Sequence, residues 1–145
     1  MRTLSLALIG ALLIAAAGPP NTYATDEQTA VDYVLSLYDP NALGGTARYT
    51  PRTQKQWFRI AKQNGDACMD FSMIVMGNDF ELSDVHAKLI KGDAKSAVVD
   101  AHFKNFGKMT FVTYELVRDR KGWMIDEMRS GCYVLSEALQ QKAKC

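Results

Sequence analysis

The second half of the chain alternates apolar with polar residues, and this pattern restricts the fold more than any other feature of the sequence. The alternation runs from Phe80 to Met128 and has the period of a strand with one buried face. Turn sequences interrupt it at Gly92-Asp93, at Asn105 to Lys108 and at Lys121-Gly122. We therefore predict four sequential antiparallel strands, which leave no parallel crossover for a dinucleotide-binding fold.

Two helices are predicted ahead of the sheet. The first spans Asp26–Tyr38, where apolar residues recur at helical spacing before Asp39-Pro40 stops the helix. The second spans Pro51–Asn64, with Thr50 as its N-cap and Gly65 after its end. Its buried side is expected to carry Trp57, Phe58, Ile60 and Ala61. Its other side carries Arg52, Lys55, Arg59 and Lys62, which we interpret as a solvated helix face.

A third helix is predicted over Tyr133–Lys144, after the last strand. The length of 145 residues suits one domain. The predicted fold is α+β, with N-terminal helices packed on a four-stranded antiparallel sheet and a short C-terminal helix.

The N-terminus has the features of a secretory signal peptide. Arg2 precedes the apolar run Leu4–Ala17, which at about 14 residues is too short to span a bilayer. Thr22-Tyr23-Ala24 places small residues where a signal peptidase requires them. We predict a signal peptide over residues 1–24, a mature domain over 25–145, and export to the periplasm or the extracellular space with no membrane span after cleavage.

The charge balance of the mature chain is neutral. The full sequence has 17 Lys and Arg against 16 Asp and Glu, and Arg2 is the only charged residue before Thr25. Nucleic acids and anionic membranes are held through clustered positive charge, so neither is expected as the main partner. The expected partner is another protein, a second copy of this chain included, or a small apolar ligand.

Three cysteines, Cys68, Cys132 and Cys145, would enter an oxidising compartment. A helix between Cys132 and Cys145 would separate them by about 20 Å, whereas bridged Cα atoms lie within about 7 Å. We therefore predict a disulfide between Cys68 and Cys132. The alternative, three unpaired thiols of which two fill the core, stays open because a buried cysteine is also an ordinary small apolar residue.

The sheet sequence resembles a known family. Phe103 to Lys108, Tyr114 to Val117 and Gly122 to Met128 resemble segments of the bacterial domain-of-unknown-function family 3828, whose members are exported or lipid-anchored and belong to the nuclear transport factor 2-like (cystatin-like) superfamily. The resemblance implies a curved sheet, wrapped as a cone over the helices, with a pocket between them. It implies no particular activity, because the superfamily includes binding proteins, hydrolyases, isomerases and homodimerisation modules.

Two carboxylates and two tyrosines are the candidate binding residues. Asp70 and Asp79 precede the first long strand, and a carboxylate at a pocket mouth near the hydroxyl of Tyr49 or Tyr114 could bind a ligand or move a proton. The competing interpretation is that Asp70 caps a turn and Asp79 starts a strand. The nearby cluster of Phe71, Met73, Met76 and Phe80 is interpreted as core.

The first predicted hairpin offers a second cluster. A three-residue loop pairs Asp84 with His102 and His86 with Asp100 on one face. Such pairs could hold a metal, but Lys88 and Lys104 on the same face would repel a cation, so we predict structural ion pairs and no metal site.

No catalytic motif and no cofactor-binding motif is found in the sequence. The sequence therefore predicts an exported, non-enzymatic binding or protein-interaction domain. The alternative is a small hydrolyase or isomerase that uses Asp70 or Asp79 with a tyrosine.

Overall fold

The computed structural model describes residues 22–64 and 71–140 and shows an α+β protein. Within these residues one antiparallel sheet has the strand order β1-β2-β3-β4-β5, so each strand pairs with its neighbours in sequence. The elements are α1 (Thr22–Ser36), α2 (Pro51–Asn64), β1 (Leu82–Gly92), β2 (Ser96–Asn105), β3 (Lys108–Asp119), β4 (Gly122–Ser130), β5 (Tyr133–Val134) and α3 (Leu135–Ala138). The predicted α+β class and sequential antiparallel hairpins are confirmed.

The sheet has one strand more than predicted. Gly131, at φ 57°, turns the chain so that Tyr133 and Val134 pair with Ser130 and Arg129 of β4. Extended backbone therefore replaces the first turn of the predicted third helix, and α3 begins only at Leu135. The described helix ends at Ala138, and the remainder of that prediction, from residue 141, lies outside the described residues.

The first helix begins earlier and ends earlier than predicted. It runs from Thr22 to Ser36, and the chain then turns so that Leu37 and Tyr38 are buried in the core. The carbonyl of Leu37 accepts a hydrogen bond from the Gly44 amide at 2.8 Å, which closes this loop. Residues 1–21 of the predicted signal peptide lie outside the described residues, so cleavage after Ala24 stays a prediction.

The second helix has the predicted bounds, but one of its predicted core residues is exposed. Ile60 is buried and Trp57 is partly buried, whereas 71% of the Phe58 side chain is exposed. Thr53, a polar residue, takes a buried place in the contact with β4 and donates a hydrogen bond from its hydroxyl to the Asp126 carbonyl at 2.9 Å. A helix has room for only one inward stripe, and Phe58 lies beside it.

The core lies between one face of the sheet and the helices. Alternate residues of β2, namely Ala97, Val99, Ala101 and Phe103, are buried as predicted. Helix α1 packs against β1 and β2 and contributes Ala30 and Val34. Trp123 and Ile125 of β4 complete the same layer.

The predicted register of the first hairpin is wrong by two residues. His86 lies opposite His102, and Asp100 lies opposite Lys88. Gly92 pairs with Ala97, so residues 93–96 form the turn, which is one residue longer than the three-residue loop assumed. The carboxylate of Asp93 accepts hydrogen bonds from the Lys95 and Ser96 amides within this turn, and β1 has a bulge between Leu89 and Lys91. The two changes together keep the predicted residues on the core face but give each of them a different partner.

Asp126 attaches the start of α2 to β4. Its carboxylate accepts hydrogen bonds from the Thr50 hydroxyl at 2.7 Å and from Arg52 at 2.9 Å. Burial opposes ionisation of this carboxyl, but the bonds from Arg52 and Thr50 outweigh it and lower the pKa of Asp126.

We expect Asp126→Asn to remove a pH-dependent part of the stability. Because the pKa of Asp126 is lower in the folded protein, its contribution is present above the unfolded value of about 3.9 and is lost as the pH falls through the folded value. At pH 7 the variant should lose about 1.5 to 3 kcal/mol of unfolding free energy, the range for hydrogen bonds to charged groups. Urea unfolding between pH 2 and pH 7 measures this, and a constant difference across that range would contradict it.

Candidate functional site

A partly enclosed cavity of about 260 Å³ lies beside α2, β4 and the segment that precedes β1. Its lining is aromatic and apolar apart from the hydroxyls of Tyr49 and Ser72. The residues that line it are Tyr49, Trp57, Phe71, Ser72, Met73, Ile74, Met128 and Leu135. No charged side chain belongs to this set, so the cavity suits a neutral guest.

Main-chain hydrogen bonds hold one wall of the cavity. Arg48 and Thr50 bond to the backbone of Ile125 in β4, which fixes Tyr49 between them as a short parallel bridge. The Tyr49 ring then packs on Trp57 of α2, with ring centroids 5.9 Å apart. The two rings come from different elements and form a continuous aromatic wall.

The opposite wall is a tight turn. Ser72 and Gly77 exchange two backbone hydrogen bonds, at 3.0 and 3.2 Å, and Met76 within the turn has φ 53°. This closed turn directs Met73 and Ile74 into the core. Phe71 leads into it and packs edge-on against Tyr133, with centroids 5.4 Å apart.

The structure places the four predicted binding residues in different surroundings. Tyr49 lines the cavity, and burial raises the pKa of its hydroxyl, which keeps it neutral. Asp79 is exposed in the bend before β1 and is not among the lining residues. Asp70 lies outside the described residues, although its neighbour Phe71 lines the cavity.

Tyr114, the fourth, lies in the core with no exposed surface. Its hydroxyl oxygen is 2.7 Å from that of Tyr38. Burial raises the pKa of both hydroxyls, so they remain protonated and share one hydrogen bond. This pair stabilises the contact between the turn that follows α1 and β3.

Sequence reasoning missed Trp57, Met128 and Leu135 as lining residues, because their spacing indicates only that they are buried. The four residues Phe71, Met73, Met76 and Phe80, which the sequence analysis interpreted as core, differ in their burial. Met73 is buried and Phe71 and Met76 pack partly against the core, but Phe80 is 42% exposed. Phe71 and Met73 also line the cavity, so they serve both the core and the candidate site.

The two histidines stack on the outer face of the sheet. Their rings are 5.0 Å apart at an interplanar angle of 27°. The carboxylates expected beside them have other partners: Asp84 pairs with Lys104 at 2.7 Å, and Asp100 accepts a hydrogen bond from Thr113 at 2.7 Å. The predicted Asp–His pairs are therefore wrong, because the register differs. Among the side chains that the structure describes, those of residues 29–63 and 71–140, no three or more His, Cys, Asp or Glu are grouped to hold a metal.

We expect replacement of both histidines, His86→Gln with His102→Gln, to change the unfolding free energy by less than about 1 kcal/mol, since exposed cross-strand pairs contribute little. Zinc should leave the melting temperatures of wild type and variant equally unchanged. Thermal unfolding with and without zinc measures both, and a zinc-dependent rise that the variant lacks would show a metal site.

Cys132 is exposed and bonds to none of the described residues. Cys68 and Cys145 lie outside them, so the disulfide between Cys68 and Cys132 stays a prediction. The sequence argument against a bridge from Cys132 to Cys145 assumed that a long helix separates the two cysteines. Because α3 has only 4 residues, that argument is weaker.

Comparisons with protein-family models, with curated proteins and with solved structures found no match. Among the described helices, none has the length and apolar character needed to cross a membrane.

Proposed function

We propose that this protein is an exported, non-enzymatic binding domain that holds a small apolar ligand in the cavity beside α2. The observation that carries the proposal is the lining of that cavity, five apolar or aromatic side chains around the Tyr49–Trp57 wall with no charged group among them.

The volume restricts the size of the ligand. Pockets for drug-sized ligands occupy about 300 to 1,000 Å³, and an apolar cavity of about 150 Å³ holds benzene. A cavity of about 260 Å³ therefore suits a compact molecule of one or two rings. The Tyr49 and Ser72 hydroxyls supply hydrogen bonds that would orient one polar group on such a ligand.

The alternative is a small hydrolyase or isomerase. It would need a carboxylate next to a tyrosine hydroxyl inside the cavity, and Asp70 is the candidate because Phe71 lines the wall. Asp79 is less suited, because it is exposed. Asp70→Asn separates the two proposals: a binding domain keeps its affinity for a neutral ligand, whereas an enzyme loses turnover of its substrate.

Naphthol, a neutral two-ring probe with one hydroxyl, tests the cavity directly. Titration calorimetry should detect binding to wild type and at least about a tenfold loss in Trp57→Ala, which removes half of the aromatic wall. Phe58→Ala is the matched control, because Phe58 is adjacent in sequence and 71% exposed. Equal affinity in Trp57→Ala and wild type, or no binding to wild type, would reject the cavity as a ligand site.

The intact mass of the exported protein tests the predicted signal peptide and its cleavage site. The protein recovered outside the cytoplasm should have the intact mass of a chain that begins at Thr25, because Thr22-Tyr23-Ala24 is the preferred exit sequence. A recovered product that retains Leu4 to Ala17 would contradict the predicted localisation.

A further inference from the structure

Helix α2 concentrates positive charge. Its 14 residues, PRTQKQWFRIAKQN, contain four cations and no acidic residue. The neutral balance of the chain therefore conceals a local excess. We call the exposed side of this helix, formed by Lys55, Phe58, Arg59 and Lys62, the basic face.

Helix geometry brings these four residues together. At 3.6 residues per turn they fall within an arc of roughly 100°, and the arc that carries Thr53, Trp57 and Ile60 lies opposite. All four side chains of the basic face are exposed. The face is thus separate from the cavity, which Trp57 lines from the other side of the helix.

The three cations of the basic face differ from Arg52, the fourth cation of the helix, in their ion pairing. Arg52 is bound to Asp126 by an ion pair of 2.9 Å and serves the fold. No ion pair joins Lys55, Arg59 or Lys62 to the side chains that the structure describes, those of residues 29–63 and 71–140. Because all three side chains are exposed, their charge faces solvent and can attract an anionic surface.

Phe58 gives the face an apolar centre. Its side chain is 71% exposed, the largest exposed fraction among the large hydrophobic residues described. It lies three residues after Lys55 and four before Lys62, so cations flank it along the helix. Binding of a helix to a membrane surface increases with the apolar area that it buries and with the attraction of its cations to anionic lipids, and this face offers both an exposed ring and cations.

We propose that the basic face docks the protein on a membrane surface that contains anionic phospholipids. Charge complementarity selects an anionic partner, and the projecting ring selects one with an apolar layer beneath its charges. A single helix face is convex and offers no groove for a peptide, whereas a lipid surface adapts to it. The proposal is independent of the ligand cavity, because the two use opposite sides of α2.

The expected binding is weak and reversible. Each Lys or Arg near an anionic surface increases partitioning by about fivefold, so three together contribute about a hundredfold. Salt should abolish it, since the screening length falls from about 10 Å at 0.1 M to about 3 Å at 1 M.

Vesicle co-sedimentation of the exported protein tests this proposal. The vesicles are phosphatidylcholine alone or phosphatidylcholine with about one third phosphatidylglycerol, at low and high salt. The test variant carries Lys55→Gln, Arg59→Gln and Lys62→Gln. The matched control carries Lys88→Gln, Lys91→Gln and Lys95→Gln, which remove the same charge from exposed positions of the first hairpin. Phe58→Ala is compared with Phe106→Ala, whose ring is 61% exposed in a turn of the sheet.

Wild type should bind only the anionic vesicles and only at low salt. The α2 triple variant should lose about a hundredfold in partitioning and the control triple much less, and Phe58→Ala should weaken binding more than Phe106→Ala. Equal losses in the two triple variants would overturn the proposal, because binding would then follow net charge. No binding by wild type would also overturn it, as would binding to heparin with none to vesicles, which would assign the face to a soluble polyanion.

Discussion

Reduction of the exported protein is expected to lower its free energy of unfolding by about 4 kcal/mol. The predicted bridge between Cys68 and Cys132 closes a loop of about 65 residues, and in the chain-entropy model such a loop restricts the unfolded state by that amount. Phe71 packs against Tyr133, and these residues lie three after Cys68 and one after Cys132. Three residues span at most about 10 Å, so the chain length allows the bridge. Denaturant unfolding with and without a reductant measures the effect.

Two cysteine variants distinguish the possible pairings. Cys132→Ser should cost as much as reduction, and it should remove any further effect of the reductant. Cys145→Ser is the control and should leave stability and the effect of the reductant unchanged. Non-reducing peptide mapping that joins Cys132 to Cys145, or that finds all three thiols free in the exported protein, would contradict the prediction.

The elements that were predicted well depend on local chemistry. Thr50 and Pro51 start α2, and alternation with Gly-containing turns defines β2, β3 and β4 almost to the residue. Each of these signals lies within the residues it describes. A sequence can therefore specify them without information about distant contacts.

The pairing of β1 with β2 depends on features that alternation does not contain. Asp93 lengthens the turn through its side chain, and the bulge near Leu89 restores the parity of the faces. The longer turn and the bulge together leave the same apolar residues of β1 and β2 on the core face, so the hydrophobic pattern is the same in the predicted and the observed register. The pairing of the charged residues changed completely, and the predicted Asp–His cluster was lost with it.

The cavity was difficult to predict because its walls come from distant segments. Tyr49 reaches it through a backbone bridge to Ile125, and Trp57 points inward while Phe58, its neighbour, points to solvent. Helical spacing placed both rings on the buried side, since an aromatic residue at the edge of the apolar stripe fits either orientation. Only the packing of α2 against β4 decides which ring lines the cavity.

Tyr114→Ala is expected to cost about 3 to 5 kcal/mol of unfolding free energy, the range for removal of a large aromatic side chain from a core. Tyr114 has no exposed surface, and its ring packs edge-on against Tyr38, with centroids 6.4 Å apart. Tyr114→Phe should cost less, about 1 to 3 kcal/mol, because it leaves the Tyr38 hydroxyl buried without its partner. Urea unfolding of each variant provides these values.

The double variant Tyr38→Phe with Tyr114→Phe isolates the hydrogen bond between the two hydroxyls. Its cost should be smaller than the sum of the two single costs, because neither buried hydroxyl then remains unpaired. Naphthol binding should be unchanged in Tyr114→Phe and weakened in Tyr49→Phe, since only Tyr49 lines the cavity. If the costs of the two single variants add up to that of the double variant, the hydroxyls do not interact. If Tyr114→Phe folds normally but binds naphthol more weakly, Tyr114 contributes to the binding site.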